Sequence, residues 1–147
     1  MDDTLNARVL LVDDEKDFLD ALSERLETRG LKVNTVISGE EAVAKSQSEN
    51  FDSIILDLSM PGIDGLETMK RIKEKKPDAE IIILTGHGTI KTGIEAMKLG
   101  ADDFLYKPVD ITELLKKIST AKGKRVLIVQ EKSQEEIKKN LHAKNWE

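Results

Sequence analysis

The sequence predicts an α/β domain: a five-stranded parallel sheet with helices on both faces. Three observations carry this reading. Short apolar runs alternate with longer amphipathic stretches five times over residues 8–121, the pattern of a doubly wound sheet. The runs Val9-Leu10-Leu11-Val12, Ser53-Ile54-Ile55-Leu56 and Ile81-Ile82-Ile83-Leu84 are continuously apolar or nearly so, as strands covered on both faces are. Glycine and proline fall between the periodic segments, at Gly30, Pro61-Gly62, Pro77 and Gly100, where helices and turns must stop.

The elements follow in order. Strand one is Val9 to Val12. Phe18, Leu19, Leu22 and Leu26 recur at helical spacing, and Gly30 stands as the C′ residue of that helix. Leu31 to Val36 is strand two. Ser38-Gly39-Glu40-Glu41 reads as a capping box that opens a helix reaching about Ser48. Strand three is Ser53 to Leu56, and the turn Met60-Pro61-Gly62 leads into a helix carrying Leu66, Met69 and Ile72, stopped before Pro77. Ile81 to Leu84 is strand four. Helix four places Ile90, Ile94 and Met97 on one face and ends at Gly100. Strand five runs from Asp103 to Tyr106. Asp110 with Glu113 caps helix five, whose core face is Ile111, Leu114, Leu115 and Ile118.

At 147 residues the chain is one ordinary domain with room for a short extension. It has no cysteine, so no disulfide framework and no thiolate metal site are expected, which fits a reducing compartment. There is no apolar run of membrane-spanning length, and the acidic opening Met1-Asp2-Asp3-Thr4 does not read as a secretory signal. A net charge of −5 and an aromatic content of 3% argue against nucleic-acid binding by this domain. No phosphate-binding GxxxxGK[ST] loop is present.

In a doubly wound sheet the ligand site lies beyond the carboxyl ends of the strands, near the switch point. Asp13 and Asp14 follow strand one, Asp57 follows strand three, Thr85 follows strand four and Lys107 follows strand five. With strands one and three as neighbours, three carboxylates converge. They would repel one another unless a hard cation neutralised them, and Mg²⁺ takes carboxylate oxygens while keeping sites for water and phosphate. A lysine and a hydroxyl opposite suit a phosphoryl group. Each residue alone is commonly a cap or turn former; five of them at matching strand ends are not accounted for by capping. His87 has no second ligand near it in sequence and reads as a surface-loop residue. The charge run Lys70, Arg71, Lys73, Lys75 and Lys76 reads as a solvated helix face. Gly86, Gly88 and Gly93 suggest high mobility around the start of helix four.

Four motifs in this order resemble response-regulator receiver domains of two-component signalling: Val12-Asp13-Asp14-Glu15, Leu56-Asp57-Leu58-Ser59-Met60-Pro61-Gly62-Ile63-Asp64-Gly65, Leu84-Thr85-Gly86 and Tyr106-Lys107-Pro108. The stretch from Gly86 to Phe104 most resembles receivers that precede sigma-54-type activators. The resemblance implies a flavodoxin-like sheet of order 2-1-3-4-5. It implies that Asp57 is the phospho-acceptor, that Asp14, Asp57 and the Ser59 backbone carbonyl ligate Mg²⁺, and that Asp13 acts mostly through a metal-bound water. Lys107 would bind a phosphoryl oxygen ahead of a cis peptide to Pro108. Thr85 and Phe104 would be the switch residues that reshape the surface of helix four, strand five and helix five. The implied partners are a sensor histidine kinase or phosphotransfer protein, an output domain or effector, and a second copy in a phosphorylation-dependent homodimer; no membrane and no nucleic acid are expected. The implied location is cytoplasmic, and the role is a signalling switch that assists its own phosphotransfer and autodephosphorylation, not an enzyme.

Three rival functions fit the residues less well. A Mg²⁺-dependent aspartyl-phosphate phosphatase needs a second acid two residues after its nucleophile, where this chain has Ser59. A flavin carrier on the same fold would meet repulsion from Asp13 and Asp14. An unphosphorylated pseudo-receiver should lack part of the site, and here every member is present. The receiver is expected over residues 1–121, with Ser119 to Lys124 reading as a linker within a junction to a βα extension over 122–147. Arg125-Val126-Leu127-Ile128-Val129 repeats Arg8-Val9-Leu10-Leu11-Val12 at four of five positions, which reads either as the start of a truncated second receiver-like domain or as a C-terminal extension whose apolar strand docks on the sheet edge or on another chain.

Overall fold

A computed structural model describes residues 6–60, 62–86 and 90–123. In chain order the elements are β1 (Arg8–Val12), α1 (Lys16–Glu27), β2 (Lys32–Val36), α2 (Gly39–Ser48), β3 (Ser53–Leu56), α3 (Gly65–Lys75), β4 (Ile81–Thr85), α4 (Ile90–Lys98) and β5 (Asp103–Tyr106). Residues 111–123 form a further helix, α5. The sheet has the order β2-β1-β3-β4-β5, and all its pairings are parallel. This is the flavodoxin-like order the motifs implied.

Alternate residues of the buried strands feed two cores. Leu10, Val12, Ile54, Leu56, Ile81 and Ile83 pack with Ala42 of α2, Met69 and Ile72 of α3 and Ala96 of α4. Val9, Leu11, Ile55, Ile82 and Leu84 pack with Leu19, Leu22 and Leu26 of α1 and with Leu114 and Ile118 of α5. A strand wedged between two helix layers buries both rows of side chains, which is why these segments carry apolar residues without alternation.

Local chemistry sets the helix ends. The Ser38 hydroxyl accepts the Glu41 N–H at 3.2 Å, the N-cap half of a capping box, and the Glu41 carboxylate accepts the N–H of Ile37, one residue before the cap, at 3.2 Å. Asp110 accepts the Glu113 N–H. Asp64 caps α3 by accepting the Glu67 N–H at 2.9 Å, and its Asp-x-x-Glu spacing is the sequence signal for that cap. After α1 the chain turns through Gly30 at φ +91°, and the Leu31 N–H reaches back to the Leu26 carbonyl at 3.3 Å, a Schellman closure.

One expectation needs correction, and one is completed. The sequence places Ile94 and Met97 on one face of α4 without saying what that face meets: they are 52% and 45% exposed, and the core contact is the small Ala96. Helical periodicity finds a stripe but not what the stripe faces. The segment 119–123 is helix, not linker. Ala121 is buried one turn beyond Ile118, and the Thr120 hydroxyl bonds the Lys116 carbonyl, so α5 continues through it. Of the linker and βα extension expected over 122–147, residues 124–147 lie outside the described residues, as do His87 and Gly88 of the glycine loop.

Candidate acidic phosphotransfer site

Strand register assembles the site. Val12 pairs with Leu56 across β1 and β3, so the residues that follow, Asp13 and Asp57, emerge side by side. The backbone continues the ladder: the Asp57 N–H bonds the Val12 carbonyl at 3.0 Å and the Asp13 N–H bonds the Val36 carbonyl at 3.3 Å. Asp13, Asp14 and Asp57 each bring a carboxylate oxygen to within 4.8 Å of the others. Asp13 and Asp57 are buried, whereas Asp14 is exposed at the mouth.

Lys107 closes the crevice from the end of β5, where the Lys107–Pro108 peptide is cis as expected. Its ammonium is 2.6 Å from Asp13 Oδ2, 3.5 Å from Glu15 Oε1 and 3.7 Å from Asp57 Oδ2. Asp13 Oδ1 also accepts the Glu15 N–H at 2.9 Å. Burial pushes the Asp13 carboxyl above the usual aspartate range; its bonds to Lys107 and to the Glu15 N–H offset this only in part, and the Asp57 charge adds to the rise. For Lys107, burial works against the charged form, but the bond to Asp13 and the charges of Asp13, Asp57 and Glu15 outweigh it and raise the ammonium above its ordinary value.

Asp57 Oδ1 accepts the Ser59 N–H at 3.2 Å. Its other oxygen, Oδ2, is buried with no hydrogen-bond partner among the described residues. A buried carboxylate oxygen left in this way costs stability unless a cation or a donor meets it. The donor set is all oxygen and the charge strongly negative, which fits a hard divalent cation. The end of β3 is held closely from behind. A Cβ on Gly65 would sit 2.4 Å from Leu58 Cα and 2.5 Å from the Asp57 carbonyl oxygen, so only glycine lets the start of α3 lie against the chain that carries Asp57.

Thr85 is fully buried at the end of β4, and its carbonyl accepts the Lys107 N–H. Phe104 is half-buried. Its ring stacks edge-on against Tyr106 at 4.9 Å and faces α4 at Gly93, where a Cβ would lie 3.5 Å from the ring. Every residue expected at the site thus lies on the carboxyl side of the sheet except Phe104, which is one strand-face away toward α4. Sequence reasoning did not place Phe18 or Glu15 against Lys107. The Lys107 ammonium lies 4.1 Å from the centroid of the Phe18 ring. Their position in the first turns after the acid pair was the available signal.

This fold and acidic crevice define a phosphorylation-switch class of α/β domain, and comparison with known proteins makes the class definite. Residues 9–119 match the response regulator receiver domain family, and the chain belongs to it. It is 35% identical over 125 residues to the C4-dicarboxylate transport transcriptional regulatory protein DctD of Rhizobium meliloti, a match that covers 85% of this chain and 27% of that protein. It is 38% identical over 106 residues to the photosynthetic apparatus regulatory protein RegA of Cereibacter sphaeroides, covering 72% of this chain and 58% of that protein. The chain therefore spans about a quarter to three-fifths of the curated relatives it matches. Among solved structures, a response regulator receiver domain protein from Clostridium thermocellum aligns with a TM-score of 0.77 at 35% identity, covering 83% and 98% of the two chains. The response regulator TrrA from Thermotoga maritima, solved in complex with Mg²⁺-BeF, aligns with a TM-score of 0.71 at 38% identity, covering 78% and 98%. The chain is a receiver domain of a two-component response regulator. No helix among the described residues is long and apolar enough to cross a membrane.

Proposed function

We propose that Asp57 accepts a phosphoryl group from a phosphohistidine on a partner kinase or phosphotransfer protein, and that the receiver passes this state to an output domain or effector from the cytoplasm. The single observation that carries the reading is the crevice itself: Asp57 Oδ2, buried and without a hydrogen bond, faces Asp13, Asp14 and the Lys107 ammonium.

Asp57 attacks phosphorus through a carboxylate oxygen. One O–P bond forms, and the bond from phosphorus to the donor nitrogen breaks, with its electron pair leaving on the imidazole. Asp14 and Asp57, with the Ser59 carbonyl, would hold Mg²⁺, and Asp13 would act through a water. The cation, when bound, neutralises oxygens of the phosphoryl group. Lys107 moves from Asp13 to a phosphoryl oxygen opposite, supplying a fixed positive charge where negative charge gathers. Thr85 donates its hydroxyl to another oxygen. The added charge of about −1.5 to −2 draws Thr85 inward, and Phe104 turns into the space it leaves. The exposed side chains Ile94, Met97 and Tyr106 lie on the surface that this movement changes, and that surface serves the output or a second phosphorylated copy. The chain works as a switch that performs its own phosphotransfer step and the later hydrolysis. Incubation with a small acyl phosphate tests this: one phosphoryl group is expected per chain with Mg²⁺ and none after chelation. Labelling that ignores chelation would contradict it.

A further inference from the structure

The Lys107 ammonium has three anionic neighbours, Asp13, Glu15 and Asp57, and one neighbour of another kind. The face of the Phe18 ring stands 4.1 Å away. Phe18 belongs to α1, two residues into the helix, and its ring packs against the core that contains Leu19, Leu22 and Leu114. The core contact fixes the ring, and the ring confronts the cation. An aromatic face attracts an ammonium through its quadrupole, most strongly where water is thin, and the Lys107 side chain is only 14% exposed. Lysine is otherwise a point charge on a flexible four-carbon stem.

We infer that Phe18 is a positioning residue for phosphotransfer: its ring face holds the Lys107 ammonium at the mouth of the acid crevice, a short movement from the oxygens of a phosphoryl group on Asp57. The inference rests on the phosphotransfer reading above. A role in core packing alone would be served by any apolar residue of similar volume. The aromatic face is what a cation requires.

The test compares labelling rates of the full chain by acetyl phosphate at saturating Mg²⁺ for wild type, Phe18→Leu, Phe18→Met and Phe18→Tyr, with Phe18→Leu repeated in a Lys107→Ala background. Loss of the ring face is expected to slow labelling roughly two- to thirty-fold. Phe18→Tyr, which keeps the face, recovers the greater part of that loss, and Phe18→Leu adds nothing once Lys107 is gone. Phe18→Met serves as the second apolar variant should Phe18→Leu fold poorly. Equal slowing by Leu, Met and Tyr, no slowing by Leu and Met, or undiminished slowing in the absence of Lys107 would each overturn the assignment of Phe18 alone. A wild-type chain that takes no phosphoryl group overturns the phosphotransfer reading and this inference together.

Discussion

Lys107 is bonded to Asp13 at 2.6 Å and stands 3.7 Å from the unbonded oxygen of Asp57. One lysine thus ties the end of β5 to the end of β1, residues 94 apart in sequence, and stands beside Asp57, the proposed phospho-acceptor. Its bond to Asp13 balances part of a crowded negative crevice and keeps the ammonium within reach of Asp57.

Replacing Lys107 with methionine keeps the apolar stem and removes the charge. Labelling of Asp57 by acetyl phosphate is expected to slow by roughly 10²–10³-fold, the usual effect of removing one preorganised charge-stabilising donor. Mg²⁺ binding should persist, because the carboxylates remain. A rate within experimental error of wild type would remove Lys107 from the reaction.

The two acids after β1 should differ. Asp14→Ala deletes a direct metal ligand in the proposed assignment, while Asp13→Ala deletes one that acts through water. Loss of an outer partner typically costs about 10- to 100-fold in metal affinity, and Asp14→Ala should cost more. Calorimetric titration with Mg²⁺ measures both. Equal or reversed losses would mean that the two roles are exchanged.

Glu40 predicts a pH dependence away from the acidic crevice. Its carboxylate accepts its own N–H and that of Ile63, the latter at 3.1 Å; those bonds, with some help from Arg71, lower its pKa against a small opposing burial effect. A depressed carboxylate contributes stability above its unfolded-state pKa and loses it as pH falls through the folded value. Glu40→Gln should therefore unfold at lower denaturant than wild type at neutral pH, and the difference should close in acid. A difference that stays constant down to the acid limit would show that the charge is not involved.

Gly65 offers a test of how the end of β3 that carries Asp57 is held. Gly65→Ala forces a methyl group against Leu58 Cα and the Asp57 carbonyl, and overpacking of this kind costs typically about 1–3 kcal/mol. Urea unfolding should show that loss, with slower labelling as Asp57 is displaced. An unchanged midpoint would mean that the loop yields without cost.

Much of this was legible in the sequence for identifiable reasons. The continuous apolar runs of β1, β3 and β4 announce strands buried on both faces, and the acids at their ends are meaningful because parallel strands all deliver their carboxyl ends to one edge. Ser38 and Asp110 cap as their spacing predicts. What the chain does not spell out is orientation and distant contact. The stripe of Ile94 and Met97 is plain, yet only the packing of Ala96 shows that it turns outward. Phe18 reads as one more apolar residue of α1. Its contact with Lys107 depends on how α1 and the end of β5 meet in space, which no local pattern encodes. Gly65 looks like a turn residue until the Asp57 carbonyl is found against it.

The central claim, that Asp57 is the phospho-acceptor, is tested most directly by intact mass after incubation with acetyl phosphate and Mg²⁺. Wild type is predicted to gain one phosphoryl group, and Asp57→Asn to gain none while retaining its fold by circular dichroism. Undiminished labelling of a folded Asp57→Asn chain would contradict the account.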